Sequence, residues 1–389
     1  MCVNGSRSSL LSRGGFIGAV SAAALPLFAT PARALDAVQS AAGTEGADLI
    51  TPRGLSRPNA RAAELASGSP FVRALTAQAF ALAESIGDAK LREDVVALLH
   101  DPRPLYQRKY SSAESRQALF DALVHAGFVA ANAPLAGLFP PLGASGIAQP
   151  FWSAPGSDTN GHHSYAGGLC AHELFNARMG MQFAQTYDAQ YFVSRGTVSR
   201  DTAIAAAFYH DIMKTVVFQY TDDGTFLEEL SIGATGGHHC LSGAEAILRG
   251  HGPAFVTVLL SAHAAPSLGD EAKVVTWCRA SAMIAGVDPV EYGLVKKTDD
   301  GYALASRPPI EAFVNHLSDH DYVLSIHAAH EVRPMLAAVA PKFGIDARDA
   351  AALNWWRLRV CAHASEIALY HELLQGEDAF VKAVKRAVA

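Results

Sequence analysis

The chain has 389 residues, of which 50% are hydrophobic and 17% are charged, and its formal net charge is −6. This composition excludes a disordered or fibrous protein, and the length is sufficient to bury one large core or two modest ones. The acidic balance argues against non-specific binding to nucleic-acid polymers or to anionic membranes, because both require a positive surface.

Residues 1–34 differ from the rest of the chain and predict a cleaved export signal. They contain three arginines and no acidic residue, an apolar stretch (FIGAVSAAALPLFAT) that is short for a bilayer span, and the A-x-A site Ala32–Ala34. We therefore expect a mature chain that begins at Leu35, has a net charge of −9 and no membrane span, and is periplasmic or secreted. The competing interpretation is an N-terminal membrane anchor.

Residues 35–150 are predicted to form an N-terminal helical region that ends in a long loop. Residues 60–99 place apolar side chains at the spacing of one helical face, namely Phe71, Leu75, Ala79, Leu82 and Ile86. From Leu135 to Gly161 the sequence is rich in Pro, Gly and Ser and lacks an apolar period. We expect a mobile loop or domain joint there.

Apolar helical patterns dominate from His162 to the C terminus, so the predicted fold is all-α, or mainly α, with additional N- and C-terminal helices. The exception is VVFQYTDDGTFLEELSI (residues 216–232), where DDG separates two short apolar runs and predicts a β-hairpin. We divide this part of the chain into a central domain over residues 151–300 and a C-terminal helical region over residues 301–389.

His210 and Asp211 stand side by side at the end of an apolar run, IAAAFYHDIMKTVV. A carboxylate in such a setting needs a partner, because desolvating it costs several kcal/mol unless a cation or hydrogen-bond donors receive it. Lys214, three residues further on, is one candidate partner. A metal ion is the other.

Three more histidines lie on or beside apolar helical stripes. His172 lies within one predicted helix, His239 begins another after two glycines, and His263 ends the apolar run FVTVLLSAH. Each alone is more often a hydrogen-bonded core histidine than a metal ligand. Together with the His-Asp pair, they form a set that suits one or two divalent transition-metal ions (Fe, Mn, Co, Ni or Zn) rather than Ca or Mg alone.

Four segments in this order, HHSYAGGLCAHE, FYHDIMK, GHHCLSGAEAIL and SAHAAPS, resemble the HD-domain metal-dependent phosphohydrolases over residues 160 to about 293. The resemblance implies an HD-type helical bundle that binds one or two metal ions. The metal ligands that it implies are His172, His210, Asp211, His239 and His263.

The resemblance also implies roles in catalysis. Asp211 would bridge the two ions, and Lys214 occupies the lysine of the family's HDxxK segment, where it would meet the substrate phosphate. From the residues themselves, a glycine-flanked loop that leads to His172 carries His162, His163 and Tyr165. These residues are expected either to line the mouth of the substrate site or to form a turn, and His163 is the favoured lining residue.

One expected ligand is missing. The family closes its site with an aspartate on a later helix, and the corresponding position in this chain is Ala282. The segment NHLSDHDYVLSIHAAHE (residues 315–331) offers possible substitutes, and two of its histidines share a helical face at the i,i+4 spacing. The possible substitutes are His316, Asp319, His320, Asp321, His327 and His330, and the pair is His316 and His320. The pattern of the segment nevertheless favours a solvated, polar helix surface.

The resemblance implies a hydrolase that uses metal-activated water to cleave a phosphate mono- or diester of a nucleotide or related small metabolite. Two other functions stay open. One is a degenerate, non-catalytic HD module that acts in binding, which the alanine at position 282 would explain. The other is an HD-type di-iron oxygenase. The sequence does not predict the oligomeric state.

Overall fold

The computed structural model describes residues 46–192, 196–267 and 269–389. All of them fall within one folded unit, Val38–Ala389. The predicted export signal lies outside the described residues. Among the helices that the structure describes, none is both long and apolar enough to cross a membrane.

The N-terminal region is helical, as predicted. Four of its helices begin with a side chain that caps the first turn, because Ser56, Ser69, Asp88 and Ser112 each accept a hydrogen bond from a backbone N–H three residues further on. The helices are α1 (Arg57–Gly68), α2 (Pro70–Glu84), α3 (Ala89–His100), α4 (Leu105–Lys109), α5 (Ala113–His125) and α6 (Leu135–Leu138).

The segment from Leu135 to Gly161 is largely irregular, as predicted, but residues 147–156 are buried. Side chains of other segments form hydrogen bonds with the backbone of these buried residues. For example, Asn59 Nδ2 donates a 3.0 Å hydrogen bond to Ala148 O. One 3-10 turn, Phe151–Ser153, lies within it. These residues pack into the core and are not an exposed loop, while the mobility of the segment stays a prediction.

The centre of the fold consists of helices whose ends meet. They are α7 (Gly168–Tyr191), α8 (Arg200–His210), α9 (Lys214–Val217), α10 (Gly237–Leu248), α11 (Pro253–Leu260), α12 (Glu271–Ala285) and α13 (Ile310–Ser318). Helix α7 packs against α8 and α13, α11 packs against α8 and α13, and α10 packs against α12. Residues Ala203–His210 of α8 are all buried, and the small alanines among them allow neighbouring helices to approach closely.

Two short antiparallel hairpins interrupt the helices in the part of the chain that the structure describes. Strand β1 (Ser231–Ile232) pairs with β2 (Thr235–Gly236), and β3 (Val295–Thr298) pairs with β4 (Gly301–Leu304). The hairpin predicted over residues 216–232 is reduced to a single bridge between Tyr220 and Phe226. The mainly-α class is confirmed.

The C-terminal region is also helical. A 3-10 turn, Asp319–Asp321, connects α13 to the next helix, and a second, Ala340–Phe343, follows that helix. The helices are α14 (Tyr322–Val339), α15 (Ala350–Ala364), α16 (Glu366–Leu374) and α17 (Glu377–Val388). The domain boundaries near residues 150 and 300 stay predictions.

Candidate metal centre

Six side chains from five helix ends converge on one buried region. Each helix contributes near one of its ends, so residues far apart in sequence meet where the helices meet. The six are His172 near the start of α7, His210 and Asp211 at the end of α8, His238 in the first turn of α10, His263 after α11, and Asp319 after α13. We refer to them as the His-Asp cluster.

Asp211 lies at the centre of this cluster, and its two carboxylate oxygens face different histidines. Oδ2 lies 3.3 Å from Nε2 of His172 and 3.5 Å from Nε2 of His210. Oδ1 lies 3.0 Å from Nε2 of His238 and 3.7 Å from Nε2 of His263. Asp211 therefore lies between two pairs of imidazole nitrogens.

Asp319 supplies a second carboxylate to the cluster. Its Oδ1 lies 3.1 Å from Nε2 of His172 and 3.3 Å from Nε2 of His210, and it accepts a 3.0 Å hydrogen bond from Nδ2 of Asn176. Its Oδ2 lies 3.7 Å from Nε2 of His263. The interpretation of residues 315–331 as a solvated surface is wrong at Asp319, which is only 8% exposed because it sits in the 3-10 turn that follows α13.

Ala282, the position at which the resemblance places the closing aspartate, is fully buried in α12. This helix packs against α10 and contributes no side chain to the His-Asp cluster as far as the structure describes it. The second carboxylate of the cluster therefore comes from Asp319 and not from position 282.

Two of the histidines are oriented by hydrogen bonds on their far side. Nδ1 of His210 lies 2.7 Å from Ala207 O, and Nδ1 of His238 lies 2.6 Å from Oε1 of Glu229. Because these oxygens are acceptors, each Nδ1 carries the proton and donates it. Each Nε2 then faces Asp211, and loss of its proton would leave a lone pair there for a metal ion, with Nδ1 donating on the far side as in histidines that bind metals.

Several buried atoms of the cluster also lack a hydrogen-bond partner. Within the described part of the chain, this holds for Nδ1 of His172, Nε2 of His238 and Oδ1 of Asp211. The last two atoms lie 3.0 Å apart but are not aligned as a hydrogen bond. Buried polar atoms are normally satisfied. Imidazole nitrogens and carboxylate oxygens are ligands that suit Fe, Mn, Co, Ni and Zn, so these residues fit a transition-metal ion.

Charges within the cluster compensate one another. Burial disfavours the charged form of Asp211, but His210 and Lys214 outweigh this and hold its pKa well below the ordinary value. Burial also opposes the protonation of His210, which Asp211 and Glu173 outweigh, so its pKa rises to about 10. Lys214 forms an ion pair with Asp211 and donates a 2.6 Å hydrogen bond to Gly156 O. Of the two candidate partners of Asp211 in the sequence, Lys214 and a metal ion, the lysine is thus in contact with it.

His239 does not face Asp211, although the resemblance implies that it is a ligand. Its Nε2 lies 3.0 Å from Leu260 O, and its ring stacks on His263 with centroids 4.1 Å apart. Adjacent helical residues diverge by about 100°, so the rings of His238 and His239 leave α10 in different directions. The structure places His238, and not the predicted His239, beside Asp211.

A cavity of about 210 Å³ opens onto the cluster. His162, rather than the predicted His163, lies on its wall. His163 is buried, with Nε2 2.5 Å from Oδ2 of Asp321 and Nδ1 3.2 Å from the hydroxyl of Tyr165. The residues that line the cavity are His162, His172, Lys214, Ala262, His263, His316, Asp319, His320 and Tyr322.

Comparison with known proteins adds one similarity. The chain is 28% identical over 145 residues to the dihydroneopterin 2',3'-cyclic phosphate phosphodiesterase of Methanocaldococcus jannaschii. The match covers 37% of this chain and 43% of the relative, so less than half of either protein is compared. No family model matches the chain, and no solved structure matches it. The chain thus has a distant, partial similarity to a cyclic-phosphate phosphodiesterase.

Proposed function

We propose that the protein is a metal-dependent phosphohydrolase of the HD superfamily that hydrolyses a phosphate diester, or a monoester, of a small molecule. The observation that carries this proposal is the position of Asp211, whose two oxygens each face a pair of histidines. One histidine of each pair, His172 and His263, lines the cavity. The similarity to a cyclic-phosphate phosphodiesterase supports a diester as the substrate.

In this proposal the His-Asp cluster holds one or two divalent ions. His172, His210 and Asp319 would bind one ion, His238 and His263 would bind the other, and Asp211 would contact both. Ions such as Fe, Mn, Co, Ni or Zn supply Lewis-acid chemistry there, because they lower the pKa of water and offset negative charge on phosphoryl oxygens.

The other residues of the cavity position the substrate. The ammonium group of Lys214 lines the cavity beside Asp211 and is suited to pair with a phosphoryl oxygen. The cavity of about 210 Å³ lies below the range of about 300–1,000 Å³ for drug-sized ligands, which favours a small substrate over a polymer.

The alternative of a non-catalytic module depended on the alanine at position 282. Asp319 weakens that alternative, because it brings a buried carboxylate to within 3.3 Å of His172 and His210. A cluster with two carboxylates and four imidazoles has the donors that a catalytic metal site requires.

Metal-dependent hydrolysis is the direct test of the proposal. The full chain would be assayed with 2',3'-cyclic AMP and with bis(4-nitrophenyl) phosphate, first as purified, then after chelation, and then after addition of each of the five metals. We expect chelation to reduce hydrolysis to background and at least one metal to restore it. An absence of hydrolysis of both diesters, and of 4-nitrophenyl phosphate, with every metal would contradict the proposal.

The two adjacent histidines should behave differently when each is changed to glutamine. We expect His238→Gln to lower the metal content and to reduce turnover by about 10–100-fold, because it removes a nitrogen that faces Asp211. His239→Gln should leave the metal content unchanged, since glutamine can still donate to Leu260 O. Elemental analysis of both variants measures this, and a larger loss of metal in His239→Gln would refute the assignment.

A further inference from the structure

A second cavity, of about 170 Å³, lies between residues 159–160 and the helices α14 and α15. Its polar wall consists of Thr159, Asn160, Arg333, Asn354 and Arg357. None of its lining residues belongs to the His-Asp cluster or to the wall of the cavity above it. The second cavity is therefore a separate feature of the molecule.

Two arginines at this cavity share one carboxylate. Nε and Nη2 of Arg333 both lie 3.1 Å from Oε1 of Glu366, whereas Nη1 of Arg357 lies 3.9 Å from the same oxygen. Glu366 is 1% exposed and Arg357 is 6% exposed. Within the described ranges, no other carboxylate lies within 4.0 Å of either guanidinium. This group of three side chains therefore carries one excess positive charge.

Arg357 is the less satisfied of the two arginines. A guanidinium has five N–H donors, but among the described residues Arg357 makes only one hydrogen bond, from Nη1 to Ser164 O at 3.0 Å. Arg333, in contrast, also donates from Nη2 to Gly161 O and to Oγ of Ser164. Burial lowers the pKa of Arg357, and the neighbouring Arg333 lowers it further.

A buried guanidinium is costly unless its charge and its donors are compensated. An oxyanion compensates both, because two parallel N–H groups of an arginine match two oxygens of a phosphate or similar group. We propose that the second cavity binds a phosphate-type oxyanion, with Arg357 as its main ligand and Asn354 and Thr159 as neighbouring polar groups. The anion is either free phosphate or the phosphate group of a small metabolite.

Such an anion would stabilise the loop that leads to the His-Asp cluster. Arg333 and Arg357 both contact Ser164, and Arg333 also contacts Gly161. His162 lies between these two residues and lines the cavity above the cluster. The proposal does not depend on the proposed hydrolase function, because it rests on the charge balance of Arg333, Arg357 and Glu366.

The test is to titrate inorganic phosphate, and in a second arm glycerol 3-phosphate, into the full chain by calorimetry. To separate this site from the His-Asp cluster, the titrations are repeated in the Asp211→Asn background. We expect phosphate to bind in both backgrounds, and Arg357→Met to remove one binding site from each. Tighter binding of glycerol 3-phosphate than of phosphate would identify a metabolite as the source of the anion. Equal numbers of sites with and without Arg357 would overturn the proposal.

Ala337→Glu provides a second variant in case Arg357→Met fails to fold. Ala337 lines the cavity, so a carboxylate there should neutralise the excess charge, raise the melting temperature and weaken phosphate binding by at least about tenfold. Ala338→Glu is the matched control, because it adds the same charge at the next, exposed position of α14 and should change neither property. A folded Ala337→Glu variant that binds phosphate as the unmodified chain does would also overturn the proposal.

Discussion

Replacing Asp211 with asparagine is expected to abolish metal binding and to lower phosphodiester hydrolysis by more than about 100-fold. Asparagine keeps the size of the side chain but is neutral, and an amide nitrogen, which is a donor, replaces one of the two oxygens that face the four histidines. Elemental analysis and a hydrolysis assay of the same preparation measure the two effects. Metal content equal to that of the unmodified chain would contradict the central role of Asp211.

Lys214→Ala is the informative companion variant, because the lysine pairs with Asp211 in the structure. We expect this variant to keep its metal and to lose mainly turnover, since the lysine is proposed to bind the substrate phosphate. If Lys214 were instead the only partner of Asp211, both substitutions would lower the free energy of unfolding similarly, by about 3–5 kcal/mol. Neither substitution would then change the metal content.

Asp319→Asn is expected to weaken metal binding by at least about 10–100-fold. The reason is that its Oδ1 lies beside Nε2 of both His172 and His210, where the proposal puts one ion. A titration against a competing chelator measures the affinity directly and does not require an active enzyme.

Asp321→Asn is the matched control for this prediction. Asp321 lies in the same 3-10 turn as Asp319 and is similarly buried, but its carboxylate pairs with His163. We expect its metal affinity to stay close to that of the unmodified chain. If the loss were greater in Asp321→Asn than in Asp319→Asn, the assignment of the second carboxylate would be wrong.

Much of the fold and part of the site could be predicted from local patterns. Apolar periodicity predicts the helices, and the four ordered segments identify His172, His210, Asp211 and His263, which the structure brings together. These residues lie within segments that resemble a known family. The information needed to find them is therefore contained in short stretches of sequence.

The remaining cluster residues could not be predicted in this way. Which of His238 and His239 faces Asp211 depends on how α10 is rotated about its own axis. Two adjacent histidines in a sequence do not reveal that rotation. Asp319 follows α13 in a segment without a family motif, and its burial depends on how α13 packs against α7 and α11. A sequence signal was nevertheless present, because the DHD triplet that contains Asp319 ends an amphipathic helix.

The burial of residues 147–156 was missed for a related reason. Proline and glycine indicate the absence of regular structure, but they do not indicate exposure. Here the irregular backbone is paired with side chains from other elements, such as Asn59, so it lies within the core.

Anomalous X-ray diffraction from crystals of the metal-reconstituted protein tests the central claim most directly. We expect at least one peak at the absorption edge of the bound metal, about 2.0–2.2 Å from an oxygen of Asp211 and coordinated by histidine Nε2 atoms of the cluster. With two ions bound, each carboxylate oxygen of Asp211 should have its own neighbouring peak. A reconstituted protein with no anomalous peak beside Asp211, or with its metal bound only elsewhere, would contradict the account.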